Sequence, residues 1–196
     1  MAKAISNTSP LLYLYRIGIF DWLPKLFDEL WIPTAVWEEL QEGQRKGHDV
    51  PKPGDYAWLT VVDPKAMPSE WLSLDLGPGE LAAMALALEN PTHLILLDDL
   101  LARRTAQAAG LYVWGTLKVL LEGKAQGLAD KIEPFVNRLD NAGMWLSDDY
   151  ARRPQTPDLR DRLPDRPAGG EDHLGAQREA AAGQPEAAGM AISQRG

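Results

Sequence analysis

The sequence predicts an α/β protein, a three-layer α/β/α sandwich with a mainly parallel sheet. Three observations carry this expectation. Strand-like and helix-like stretches alternate through residues 1–150. The joints between them are short and built of Gly, Pro, Asn and Asp. The run "LILL" (94–97) is apolar at every position, as a central strand covered on both faces requires. Alternating elements of this kind stack helices on both sides of a parallel sheet.

The elements follow in order. "AIS" (4–6) is a strand that stops at the polar turn Asn7-Thr8-Ser9-Pro10. Residues 11–17 read as a helix, and "FDWLPKLFDEL" (20–30) continues helical, with Pro24 tolerable near a first turn. "LWIP" (30–33) is a short strand. "TAVWEELQEG" (34–43) is a helix, with Thr34 as N-cap and Gly43 as its stop. Residues 44–57 form a loop broken by Gly47, Pro51, Pro53 and Gly54. "WLTVVD" (58–63) is an edge strand. "GPGELAAMALALEN" (77–90) is a helix opened by Gly79, and its Ala-rich, apolar surface marks it as buried. "HLILLDD" (93–99) is a strand, "LLARRTAQAAG" (100–110) a helix, "LYVWGT" (111–116) a strand and "LKVLLEGKAQGL" (117–128) a helix. "DKIEPFVNRLDNAG" (130–143) is the last helical stretch. After Tyr150 the chain turns rich in Pro, Gly, Ala and paired charges. Residues 151–196 therefore read as a disordered or loosely attached tail, with a short helix around 175–182.

Composition narrows the chemistry. The chain has no cysteine, which excludes disulfides and cysteine-based zinc sites. No stretch reaches the roughly 20 apolar residues of a membrane span. A cytoplasmic protein without a membrane partner is expected. The net charge is −8, and all of it falls in residues 1–150, since the tail carries 7 basic and 7 acidic residues. Such a surface does not grip nucleic acid by itself. It reaches an anionic substrate through a local basic patch or through metal ions held by carboxylates.

In a parallel sheet the ligand crevice lies beyond the carboxyl ends of the strands. Three places qualify: Asn7-Thr8-Ser9, Asp98-Asp99 and Gly115-Thr116. Asp98 and Asp99 end a buried strand and start a helix. Capping explains one of them comfortably and two less so. Glu80 opens the buried helix, where a helix-dipole position is the ordinary explanation. Glu39 lies beside the apolar stripe of Val36 and Leu40, with Glu38 and Glu42 farther out on a solvated face. Of the histidines, His48, His93 and His173 lack metal-ligand spacing. There is no G-x-S-x-G elbow and no P-loop, and "GPGE" reads as a helix start. A receiver-type phosphorylation domain fails too. It wants acids after the first strand and a Lys after the last, where this chain has Asn7 and Thr116.

The order of these parts resembles the PIN-domain family. The likeness is carried by "ISNTSPLLYL", "IPTAVWEEL", "LGPGELAAMALALE" and the long segment from "LILLDDLLARR" to "GKAQGL", and it covers residues 3 to about 150. It implies a metal-dependent ribonuclease using Mg²⁺ or Mn²⁺, such as the VapC-type toxins of type II toxin–antitoxin pairs. By the same resemblance the metal ligands are Asn7, Glu39, Glu80 and Asp99, and the catalytic acids Glu39, Glu80, Asp98 and Asp99. Ser9, Arg103 and Thr116 support them. Asn7 stands where the family carries its first carboxylate. It is either a turn residue whose amide satisfies nearby backbone or a ligand without charge. RNA is the implied substrate and a small antitoxin the implied protein partner, and a homodimer stays open. Trp22, Trp31 and Trp37 are mainly core, with one or two of the tryptophans expected at a partner surface. The alternative is a catalytically weakened PIN-fold module that binds RNA or protein. A plain nucleotide-binding module is disfavoured by the lack of a Gly-rich loop after the first strand.

Overall fold

A computed structural model describes residues 2–144. The tail expected over 151–196, its short helix and the end of the 1–150 domain lie outside the described residues. Five parallel strands form one sheet: β1 (Ala2–Ser6), β2 (Phe27–Ile32), β3 (Leu59–Val61), β4 (His93–Leu96) and β5 (Val113–Trp114), in the order β3-β2-β1-β4-β5. The helices are α1 (Thr8–Arg16), α2 (Leu23–Leu26), α3 (Thr34–Arg45), α4 (Pro78–Glu89), α5 (Leu100–Ala108), α6 (Thr116–Ala125) and α7 (Glu133–Asn141).

Strand alternation sorts the core into two clusters, one on each face of the sheet. Ala4, Leu30, Leu94 and Leu96 pack with Leu11 and Leu14 of α1, Val36 and Leu40 of α3, Val119 and Leu120 of α6 and Leu139 of α7. Ile5, Ile95 and Leu97 pack with Ala83, Met84 and Leu86 of α4 and Ala102 and Ala106 of α5. The sheet is therefore sandwiched between helices, as expected. Every residue from His93 to Leu97 is buried, which accounts for the unbroken apolar run there. Residues 82–87 of α4 are buried without interruption, so its small alanines let it lie close to the sheet.

Local departures have clear causes. "FDWLPKLFDEL" is not one helix. A 3-10 turn at Phe20–Trp22 leads into the single turn of α2, and β2 already begins at Phe27. Phe27 and Leu30 are buried while Asp28 is exposed, and Glu29 lies opposite Lys3 in register with a 2.8 Å ion pair. Thr34 is the first residue of α3 and not its cap. Its N–H and hydroxyl donate to Asp63 at 2.7 and 2.6 Å, so a residue two positions past β3 caps α3 from a distance. The helix runs past Gly43 to Arg45, and the left-handed turn falls on Gly47 at φ +78°. The helix expected to open at Gly79 begins at Pro78, with Gly77 as its cap.

Candidate functional site

The carboxyl ends of β1 and β4 and the amino ends of α1, α4, α5 and α6 bring the sequence-selected residues to one side of the sheet. Asn7 follows β1 directly, between the two strands that flank the sheet's middle. Its N–H donates to Leu96 O at 3.3 Å, and Ser6 Oγ donates to its carbonyl at 2.9 Å. The residue is 1% exposed. Its side chain does not cap α1, so the turn-residue explanation is not what holds it there. Instead its Oδ1 is buried with no hydrogen-bond partner among the described residues. An orphaned buried oxygen is costly, and none of the described residues offers this one a donor.

Glu39, from the middle of α3, spends both oxygens on its neighbours. Thr8 Oγ1 donates to Oε2, and Gly79 N–H donates to Oε1 at 2.8 Å. Glu80, the third residue of α4, reaches back to the residue that precedes the helix, its Oε2 accepting from Gly77 N–H at 2.7 Å. Its carboxyl pKa is raised, chiefly by burial, while the Gly77 hydrogen bond works the other way and the negative charges of Asp99 and Glu39 add to the rise. Glu80 thus feels the charges of both other acids.

The adjacent pair Asp98-Asp99 divides. Asp99 is the N-cap of α5, its Oδ1 accepting from Ala102 N–H at 2.8 Å, and it is exposed. Asp98 turns toward α6 instead. Its Oδ1 accepts from Thr116 N–H at 2.8 Å and its Oδ2 from Thr116 Oγ1 at 2.6 Å. Burial raises its pKa, and the two Thr116 bonds and the Arg103 charge oppose the rise. A Cβ at Gly115 would lie 3.1 Å from Asp98 Oδ1 and 3.7 Å from Arg103 Nη1, so glycine lets both side chains close over the β5–α6 joint. Arg103 is half-buried there and Arg104 is exposed. Ser9 is half-buried in the first turn of α1, one residue beyond the hydroxyl that reaches Glu39.

Among the described residues, no three or more of His, Cys, Asp and Glu converge to hold a metal ion. Glu80 lies close enough to Glu39 and Asp99 to feel their charges, yet each of the four carboxylates accepts a hydrogen bond from a backbone N–H. Thr8, Gly77, Gly79 and Gly115 complete this network; the sequence placed Thr8 and Gly115 in crevice turns and Gly79 at a helix start, but gave none of them a hydrogen-bonding role. The "GPG" signal was in view there, but its carboxylate guest lies 40 positions away.

A family model described as a PIN domain matches residues 3–154. The chain belongs to the PIN-domain family. Neither the curated proteins nor the solved structures give a match. The PIN domain is a nuclease-type fold associated with nucleic acid, and its members generally use divalent metals. No helix among the described residues of this PIN domain is long and apolar enough to cross a membrane.

Proposed function

We propose that this PIN domain is a metal-dependent ribonuclease acting in the cytoplasm, as the toxin of a type II toxin–antitoxin pair. The observation that carries the reading is the buried, unpartnered Oδ1 of Asn7 at the carboxyl edge of β1. A neutral amide oxygen is a competent donor to a hard cation. Glu80 and Asp99 each keep one oxygen outside their helix-start hydrogen bonds, so two carboxylates and an amide are available. That set suits Mg²⁺ or Mn²⁺, which commonly take one or two carboxylates and complete their shell with water and substrate phosphate. When bound, such an ion supplies Lewis-acid activation of water and offsets charge on a phosphodiester.

The chain's own residues do the rest. The backbone of Asn7 is held by its N–H bond to Leu96 O. Asp98 works as a strut: its two bonds to Thr116 tie the end of β4 to the start of α6. Arg103, packed against that strut, offers a cation to an RNA phosphate. A second reading, a weakened PIN module that binds RNA or protein without cleaving it, is favoured by the missing charge at Asn7.

The test is incubation of the purified full chain with structured RNAs in Mg²⁺, Mn²⁺ or EDTA. Wild type, Asp99→Ala and Asn7→Asp are compared. Cleavage that needs metal, fails in Asp99→Ala and rises in Asn7→Asp is the expected result. No cleavage by wild type under any metal condition refutes the nuclease reading; RNA retention without cleavage then favours the binding module.

A further inference from the structure

We propose that Glu39 is a positioning residue of the site's scaffold and not a ligand of the ion, an inference that rests on the metal-dependent reading above. Its carboxylate is seated on protein donors at both oxygens, Thr8 Oγ1 and Gly79 N–H. Those two bonds join α3 to the first residue of α1 and to the second residue of α4. The seat is close-fitting. A Cβ on Gly79 would fall 2.6 Å from Oε2 and 2.8 Å from Oε1, inside any normal contact. A Cβ on Gly77 would meet Glu80 Oε2 at 3.3 Å and Glu39 Oε1 at 3.8 Å. The Gly77-Pro78-Gly79 turn is therefore a cradle for two carboxylates side by side.

The two guests of that cradle differ. Glu80 uses one oxygen there and retains the other. Glu39 uses both, and its negative charge sits at the amino end of α4, where the helix start stabilises it. A carboxylate held this way anchors the cradle that presents Glu80. Ligand geometry in such sites depends on neighbours of this kind.

Glutamine separates the roles. Its carbonyl oxygen accepts from Gly79 N–H, and its NH₂ donates to Thr8 Oγ1, since a hydroxyl accepts as well as donates. Glu39→Gln therefore keeps the anchor and removes the charge, whereas Glu39→Ala removes both. Mn²⁺ affinity of the full chain is measured by paramagnetic resonance titration, beside thermal unfolding in EDTA. Glu39→Gln is expected to bind Mn²⁺ within about fivefold of wild type and to melt near it, while Glu80→Gln and Asp99→Asn bind at least about tenfold more weakly than Glu39→Gln. Glu39→Ala is expected to melt lower than wild type without metal. Loss of Mn²⁺ binding in Glu39→Gln equal to that in Asp99→Asn overturns the inference, as does an unchanged melting point for Glu39→Ala. No Mn²⁺ binding by wild type defeats the metal reading itself, and the inference falls with it.

Discussion

Replacing Gly79 with alanine tests the cradle through folding alone. The added methyl would lie 2.6 and 2.8 Å from the Glu39 oxygens and 2.9 Å from the carboxyl carbon. The rest of the Glu39 side chain is flexible, so it swings away instead of deforming backbone. Swinging away breaks the 2.8 Å bond from Gly79 N–H and takes the acceptor from Thr8. A hydrogen bond to a charged group is worth about 1.5–3 kcal/mol. Against this, alanine is a better helix residue than glycine by about 1 kcal/mol at most, and less in a first turn. The net cost is about 1–2 kcal/mol, a fall in Tm of roughly 2–8 °C for a chain of this size. Urea and thermal unfolding without metal read it directly. A second measurement fixes the cause: in a Glu39→Ala background the same Gly79→Ala change should be neutral or mildly stabilising, because the clash and the bond are already gone. A Gly79→Ala variant as stable as wild type, or an equal loss in both backgrounds, refutes the cradle.

Two other sites give independent outcomes. His93 is buried against the Trp31 ring at 4.3 Å, its Nε2 has no partner among the described residues, and burial together with the Lys3 charge holds its pKa below the ordinary value, with Glu29 opposing. The folded state thus favours neutral histidine. Its stabilising share is full above the ordinary histidine pKa of about 6.5 and is lost as pH falls below that toward the folded value. Stability measured from pH 7 to 5 should decline more steeply in wild type than in His93→Phe, and parallel profiles would contradict this. At Gly123, in α6, a Cβ would lie 2.4 Å from two atoms of the Trp22 ring, which packs edge-on to Phe135 at 5.2 Å. Gly123→Ala should cost about 1–3 kcal/mol by overpacking, in spite of better helix propensity. Equilibrium urea unfolding checks it, and a stability gain would show that the indole moves freely.

Much of the fold was legible because its signals are local. "LILL" needs no partner to read as a doubly covered strand, and the alternation of elements sets the layer order. The stretch around Phe27 was not legible: apolar residues at 27 and 30 fit a helix face as well as a strand, and the pairing of Glu29 with Lys3 in the first strand decided it. The site divides the same way. Sequence singled out Asn7, Glu80, Asp98 and Asp99 by their places at strand and helix ends, and Glu39 by its place beside the apolar stripe of Val36 and Leu40. It could not separate Asp98 from Asp99, because two adjacent acids look alike until one reaches Thr116, 18 positions on, and the other caps its own helix. The carboxylate cradle escaped for the same reason, since its two halves lie on different helices.

The strand order also has a consequence for the chain while it is being made. β1 is synthesised first but sits in the middle of the sheet, and its two neighbours arrive at very different times. β2 is complete at residue 32, whereas β4 ends only at residue 96. At a synthesis rate of roughly 5–20 residues per second, one edge of β1 waits several seconds for its partner. The hydrogen bond that seats Asn7 runs to Leu96, and Asp99 lies beyond it. The nascent polypeptide therefore has no assembled crevice until about half of its length has emerged. A ribosome translating this message is not exposed to a finished crevice early in the chain's birth.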